Sequence, residues 1–76
     1  MTQRYEWHDG FTFDAEDASQ VVAKLRAGAR YPEPSFEEYK RLLAFRAEQY
    51  SGETIRSTTP ELLVEDLIGA GLLKRH

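Results

Sequence analysis

Residues 4–13 read RYEWHDGFTF, and the four rings in that stretch constrain what the chain can fold into. Tyr5, Trp7, Phe11 and Phe13 flank an Asp-Gly pair, the pattern of a β-hairpin. Two loops are open to it. A two-residue loop, Asp9-Gly10, pairs Trp7 with Thr12 and puts Phe11 and Phe13 on the face opposite Tyr5 and Trp7. A three-residue loop, His8-Asp9-Gly10, pairs Trp7 with Phe11 and Tyr5 with Phe13, so that all four rings share one face. A one-residue slip moves every side chain to the other side of the ribbon, so burying the rings selects the longer loop. Gly10 supplies the left-handed residue that the accompanying bulge needs. A lone hairpin is marginal in water, and its aromatic face must be covered by other elements.

Three helices are available to cover it. The strongest signal is residues 35–50, SFEEYKRLLAFRAEQY. Ser35 with Glu38 three residues on forms a capping box, and Pro34 can lean on Tyr39 as a staple. Gly52 suits a left-handed stop. At about 100° per residue, Phe36, Tyr39, Leu42, Leu43, Ala47 and Tyr50 fall on one stripe, with Glu37, Lys40, Arg41, Glu48 and Gln49 opposite. Two residues depart from the pattern. Arg46 projects into the apolar stripe, where its stem can lie on apolar surface while its head stays in water. Phe45 points into the polar face. It is either a second layer of packing or an exposed anchor for a partner.

Residues 14–27 predict the first helix. Asp14 can cap it, Glu16 and Asp17 suit its first turn, and Lys24 and Arg26 suit its last. Ala18, Val21, Val22, Leu25 and Ala29 form its apolar stripe, and Gly28 stops it. Residues 30–34, RYPEP, form a stiff extended connector, with Tyr31 either a lid on the core or an exposed aromatic. Residues 54–57, around Ile55, suit a short edge strand. Thr59 caps the last helix and Pro60 opens it. Leu63, Val64, Leu67 and Ile68 share its apolar face, with Leu62 off it. Gly71 closes the helix and Leu72 makes the apolar contact such a cap carries. The final LLKRH is a short strand or a docked tail.

The expected fold is therefore α+β, one domain over residues 1–76. An N-terminal β-hairpin packs on three short α-helices, with room for an extra short strand near Ile55 or at the C-terminus. The expected core is Tyr5, Trp7, Phe11, Phe13, Val21, Val22, Leu25, Phe36, Tyr39, Leu43, Ala47, Leu63, Leu67, Ile68 and Leu72. A chain of 76 residues buries about 60% of its unfolded surface, so it folds alone with little stability to spare. The aromatics, 12% of the residues, matter because each brings a large area to a small core. Sealed this way, the molecule is expected to leave no hollow for chemistry.

Several function classes lack their residues. The chain has no cysteine, which removes disulfides, thiol catalysis and thiolate metal sites. Its two histidines, His8 in the hairpin loop and His76 at the end, make no zinc pattern and read as solvated. Asp14, Glu16, Asp17, Glu37 and Glu38 sit where helix first turns favour acids. Glu65 and Asp66 lie mid-helix with no nucleophile beside them. The glycines fall at turns and helix ends and form no phosphate cradle. No enzyme, catalytic residue, metal or cofactor is expected. No apolar run approaches the roughly 20 residues that span a bilayer, and MTQRYEW has no apolar leader core. A cytoplasmic protein that does not enter a membrane is expected.

The net charge is −3 and the pI about 5.3, without the basic footprint of a duplex binder. The last helix carries Glu61, Glu65 and Asp66 and no Lys or Arg, so it would repel phosphate. Even so, three helices followed by Gly71 and LLKRH have the outline of a helix-turn-helix or winged module. Arg26, Arg30, Lys74 and Arg75 could form a basic stripe, and nucleic-acid binding stands as the alternative. The outline looks like that of many small bacterial or phage proteins. The favoured expectation is a non-enzymatic protein-interaction module: an adaptor, assembly factor or inhibitor that binds another protein or itself, as a homodimer. Phe45, Arg46, Arg41 and Tyr31 are the candidate partner-binding residues, because exposed aromatic and Arg side chains dominate interface energies.

Overall fold

The structure, a computed structural model, describes residues 2–29 and 35–76. The order is β1 (Gln3–Trp7), β2 (Thr12–Ala15), α1 (Ala18–Ala27), α2 (Phe36–Ser51), α3 (Pro60–Gly69) and β3 (Leu73–Arg75). The connector 30–34, with Tyr31, Arg30 and the Pro34 staple, lies outside the described residues.

The hairpin takes the three-residue loop. β1 and β2 are antiparallel with Tyr5 opposite Phe13, and the Trp7 N–H donates to the Phe11 carbonyl at 2.8 Å. Gly10 has φ +97°, its N–H donates to the Trp7 carbonyl at 2.9 Å, and Asp9 Oδ1 accepts from the Phe11 N–H at 2.9 Å. Tyr5 stacks on Phe13 with centroids 5.7 Å apart, and Phe11 stacks on Phe13 at 5.4 Å. The rings share one face, as burying them requires.

β3 pairs antiparallel on the other side of β1, giving a three-stranded sheet in the order β2-β1-β3 with Trp7 opposite Leu73. The extra strand thus forms at the C-terminus. None forms around Ile55, where the backbone is irregular and the side chain is nevertheless buried. α3 delivers β3 to the sheet. Its end is a Schellman turn: Gly71 at φ +80° donates to the Ile68 carbonyl, and the Leu72 N–H donates to that of Leu67. Leu72 is buried directly after it.

The helix starts follow from their caps, each worth about 1 kcal/mol. Ser35 accepts from the Glu38 N–H and Thr59 from the Leu62 N–H. In α1 the cap is Asp17, which accepts from the Gln20 N–H at 2.8 Å, rather than Asp14. Asp14 stays in β2, opposite Arg4 and paired with its Nε at 3.0 Å. The hairpin keeps two more residues than expected because Ala15 is buried on the ring face.

α1 packs on β2, α3 on β3, and α2 on both other helices. The helices thus cover the ring face, while alternation leaves Arg4, Glu6, Thr12, Asp14 and Lys74 on the opposite face. Tyr5, Phe13, Val21, Val22, Leu25, Tyr39, Leu43, Ala47, Leu63, Leu67 and Leu72 are buried as expected. Trp7, Phe36 and Ile68 are only half-buried against that core, and Phe11 is 40% exposed. Ala15, Ala44, Ile55, Val64 and Leu73 join it.

α2 departs most from its expected stripe. Its buried face is Tyr39, Lys40, Leu43, Ala44 and Ala47, so the helix is rotated toward Ala44 and away from Leu42, while Tyr50, next to the last residue of α2, is 71% exposed. Leu42 is half-buried. Small residues at Ala44 and Ala47 let the helix approach its neighbours on that side. The Lys40 stem lies in the core, and its Nζ reaches Glu37 Oε2 at 3.1 Å.

The loop after α2 is tied down at two points. Glu48 Oε2 accepts from the Ile55 N–H at 2.9 Å. Asp66 accepts from the Arg56 guanidinium at both oxygens and from its backbone N–H, each at 2.8 Å. These bonds, those of the side chain foremost, hold the Asp66 carboxyl down at about 2. Since an unfolded Asp titrates near pH 4, the clamp contributes fully above that value and is lost as pH falls toward about 2. In denaturant titrations, wild type should exceed Asp66→Asn by a constant margin from neutral pH to about pH 5. The margin should then close between about pH 4 and pH 2. A margin unchanged at acid pH would remove the clamp.

Candidate functional site

A groove of about 540 Å³ opens where the hairpin loop, the end of α1 and α2 meet. The hairpin contributes Trp7, His8, Asp9 and Phe11; α1 and its end contribute Leu25, Gly28 and Ala29. From α2 come Tyr39, Leu43, Arg46, Ala47 and Tyr50, and Leu72 completes the lining. The helices therefore do not seal the whole ring face. The outer rings of the hairpin, Trp7 and Phe11, line the groove, with Phe11 against Gly28 at the end of α1.

Three rings bridge the groove in series. The His8 ring lies 4.9 Å from Trp7, edge to face, and 4.8 Å from Tyr50. His8, expected as a solvated loop residue, is exposed yet joins the hairpin tip to α2 through these contacts. Phe11 lies over Gly28 so closely that a Cβ there would sit 3.2 Å from its ring. Burial in the wall raises the Tyr39 phenol above its ordinary value, with the nearby Arg46 charge pulling the other way. Among the described residues the groove is thus an aromatic trough with one cation, Arg46, on the α2 side and one acid, Asp9, on the hairpin side.

As for the expected site residues, Phe45 is 58% exposed, and Arg41 and Arg46 are exposed; Tyr31 lies outside the described residues. The second-layer reading of Phe45 is overturned. With α2 turned as it is, Phe45 lies at the middle of the outward face, between Arg41 and Gln49 one turn either way. At 100° per residue, Leu42 and Arg46 lead from Phe45 round to Tyr50 and the groove. Trp7, His8, Phe11 and Tyr50 were not singled out as site residues.

A second hollow of about 450 Å³ lies against α3, lined by Tyr5, Ala18, Val64 and Ile68 with Glu61, Glu65 and Arg75. Of the basic residues, Arg26 is at the end of α1, Lys74 and Arg75 lie on β3, and Arg30 is outside the described residues. Among the described residues no cluster of His, Cys, Asp or Glu could hold a metal ion, and no helix is long and apolar enough to cross a membrane. The fold and the groove define an α+β domain with helices on one face of a three-stranded antiparallel sheet. No protein-family model, curated protein or solved structure matches this chain.

Proposed function

We propose that the protein is a non-enzymatic interaction module that docks a partner protein on the outward face of α2 and the adjoining groove. One observation carries the reading: Phe45, a large apolar side chain, stands 58% exposed at the centre of that face. The other large hydrophobics exposed among the described residues, Tyr50 and Phe11, line the groove next to it. Scattered exposed apolar residues need no explanation, but large ones gathered beside a hollow mark interaction surfaces. Arg41 and Arg46 flank Phe45, and aromatic and Arg side chains supply the anchors of most interfaces.

Phe45→Ala tests it. The side chain supports little of the core, so stability should change by no more than about 0.5 kcal/mol. Association should weaken by about 1–2 kcal/mol or more, the scale of a lost interface anchor. The measurement is a pair of captures from native lysate with wild-type and Phe45→Ala baits, alongside their thermal melts. A large fall in melting temperature, or identical captured proteins, would contradict the proposal. Retention on heparin that drops steeply with added salt would favour nucleic acid instead.

A further inference from the structure

Beyond the docking reading, we infer that the hairpin tip is a latch. The His8 ring, laid against Tyr50, holds the tip to the end of α2 and keeps the floor of the groove covered, and its release opens the groove. The latch governs access to the groove and holds whether or not Phe45 meets a partner. Its first support is how little else ties the two walls together. Among the described residues no hydrogen bond or ion pair joins the hairpin to α2, and His8 on Tyr50, at 4.8 Å, is their one ring contact. The helix itself packs on α1 and α3.

The bonds that shape the tip all stay within it. The Gly10 N–H donates to the Trp7 carbonyl, and the Phe11 N–H to Asp9 Oδ1. Trp7 is fixed further by β3, where it lies opposite Leu73. Letting go of Tyr50 therefore breaks none of these bonds and leaves the ribbon behind the tip intact. The floor supplies the other half of the device. Leu25, Leu43 and Leu72 line the groove yet are buried, whereas His8 and Tyr50, which line it too, are exposed. The ring pair thus stands at the mouth, between water and apolar surface. Opening wets that surface, so the closed form is the major one. A single exposed ring pair is a weak tie, and a two-state element held so lightly keeps up to about one molecule in ten in its minor form.

Trp7 is the only tryptophan and lines the groove, so its indole N–H reports on the tip by itself. The test is NMR relaxation dispersion on the isotope-labelled full chain at one fixed pH. The Trp7 indole and the amides of His8, Gly10 and Tyr50 should exchange at one shared rate, and Leu63 and Leu67, in the sealed core, should not. Tyr50→Ala should abolish the exchange and move the Trp7 indole to the shift of the wild-type minor state. A soluble paramagnetic probe should then relax the methyls of Leu25, Leu43 and Leu72 about fivefold faster than in wild type, since the open population rises from about a tenth or less towards one. His8→Ala should uncover the same three methyls, and Tyr50→Phe, which keeps the ring, should behave as wild type. Both alanine variants should melt within about 8 °C of wild type, as the loss of one exposed ring pair implies. No dispersion at the tip, unshared rates, or floor methyls as protected in Tyr50→Ala as in wild type would overturn the inference. So would Tyr50→Phe opening the groove, or a larger fall in melting temperature, which would make the ring pair a support of the whole fold. The purified chain alone is used, so the outcome is independent of the lysate captures with Phe45→Ala.

Discussion

Phe13→Ala is expected to destabilise the protein by about 3–5 kcal/mol, whereas Phe11→Ala, two residues earlier on the same face, is expected to cost about 1 kcal/mol. Phe13 is 8% exposed and sits between the rings of Tyr5 and Phe11, so its removal leaves a cavity on the sheet and ends two ring contacts. Phe11 is 40% exposed and loses chiefly its stack on Phe13. For a domain of this size each kcal/mol moves the melting temperature by about 4–8 °C. The first variant should therefore melt more than about 12 °C below wild type, if it remains folded at room temperature. The second should stay within about 8 °C. Thermal unfolding by circular dichroism decides it, and equal losses would mean that the hairpin tip is roofed after all.

Ile55→Ala is expected to cost about 2–5 kcal/mol, the loss of a core residue, although Ile55 lies in a segment with no regular structure. The side chain is 5% exposed, its N–H is held by Glu48, and its neighbour Arg56 is clamped to Asp66. The loop is thus fixed from both sides while Ile55 inserts under it. Urea denaturation measures the effect. A change below about 0.5 kcal/mol, typical of surface sites, would show that the loop is not anchored through this residue.

These two sites also show where sequence reasoning reaches and where it stops. The hairpin register was legible because the side-chain period of a strand is two residues, so four rings around one Gly admit a single arrangement that buries them together. Caps at Ser35, Thr59 and Gly71 were legible because each is a local hydrogen-bond device. The roll of α2 was not. Phe36, Tyr39, Leu43 and Ala47 are compatible with a buried face centred on either side of them. Only the close approach allowed by Ala44, and the willingness of the Lys40 stem to lie in the core, turn the helix away from Leu42. That same turn puts Phe45 at the middle of the outward face. Ile55 was underestimated for a related reason. A lone apolar residue among polar ones carries no periodicity, and the bonds from Glu48 and Asp66 that hold its loop come from the two flanking helices.

Hydroxyl-radical footprinting read residue by residue is the most direct test of the claim that the α2 face and its groove are what a partner covers. On the purified chain, Phe45 and Tyr50 should be oxidised rapidly and Tyr5 and Phe13 slowly. In native lysate Phe45 and Tyr50 should become protected. Phe45 already as slow as Phe13 in the purified chain, or equally fast with and without lysate, would contradict it.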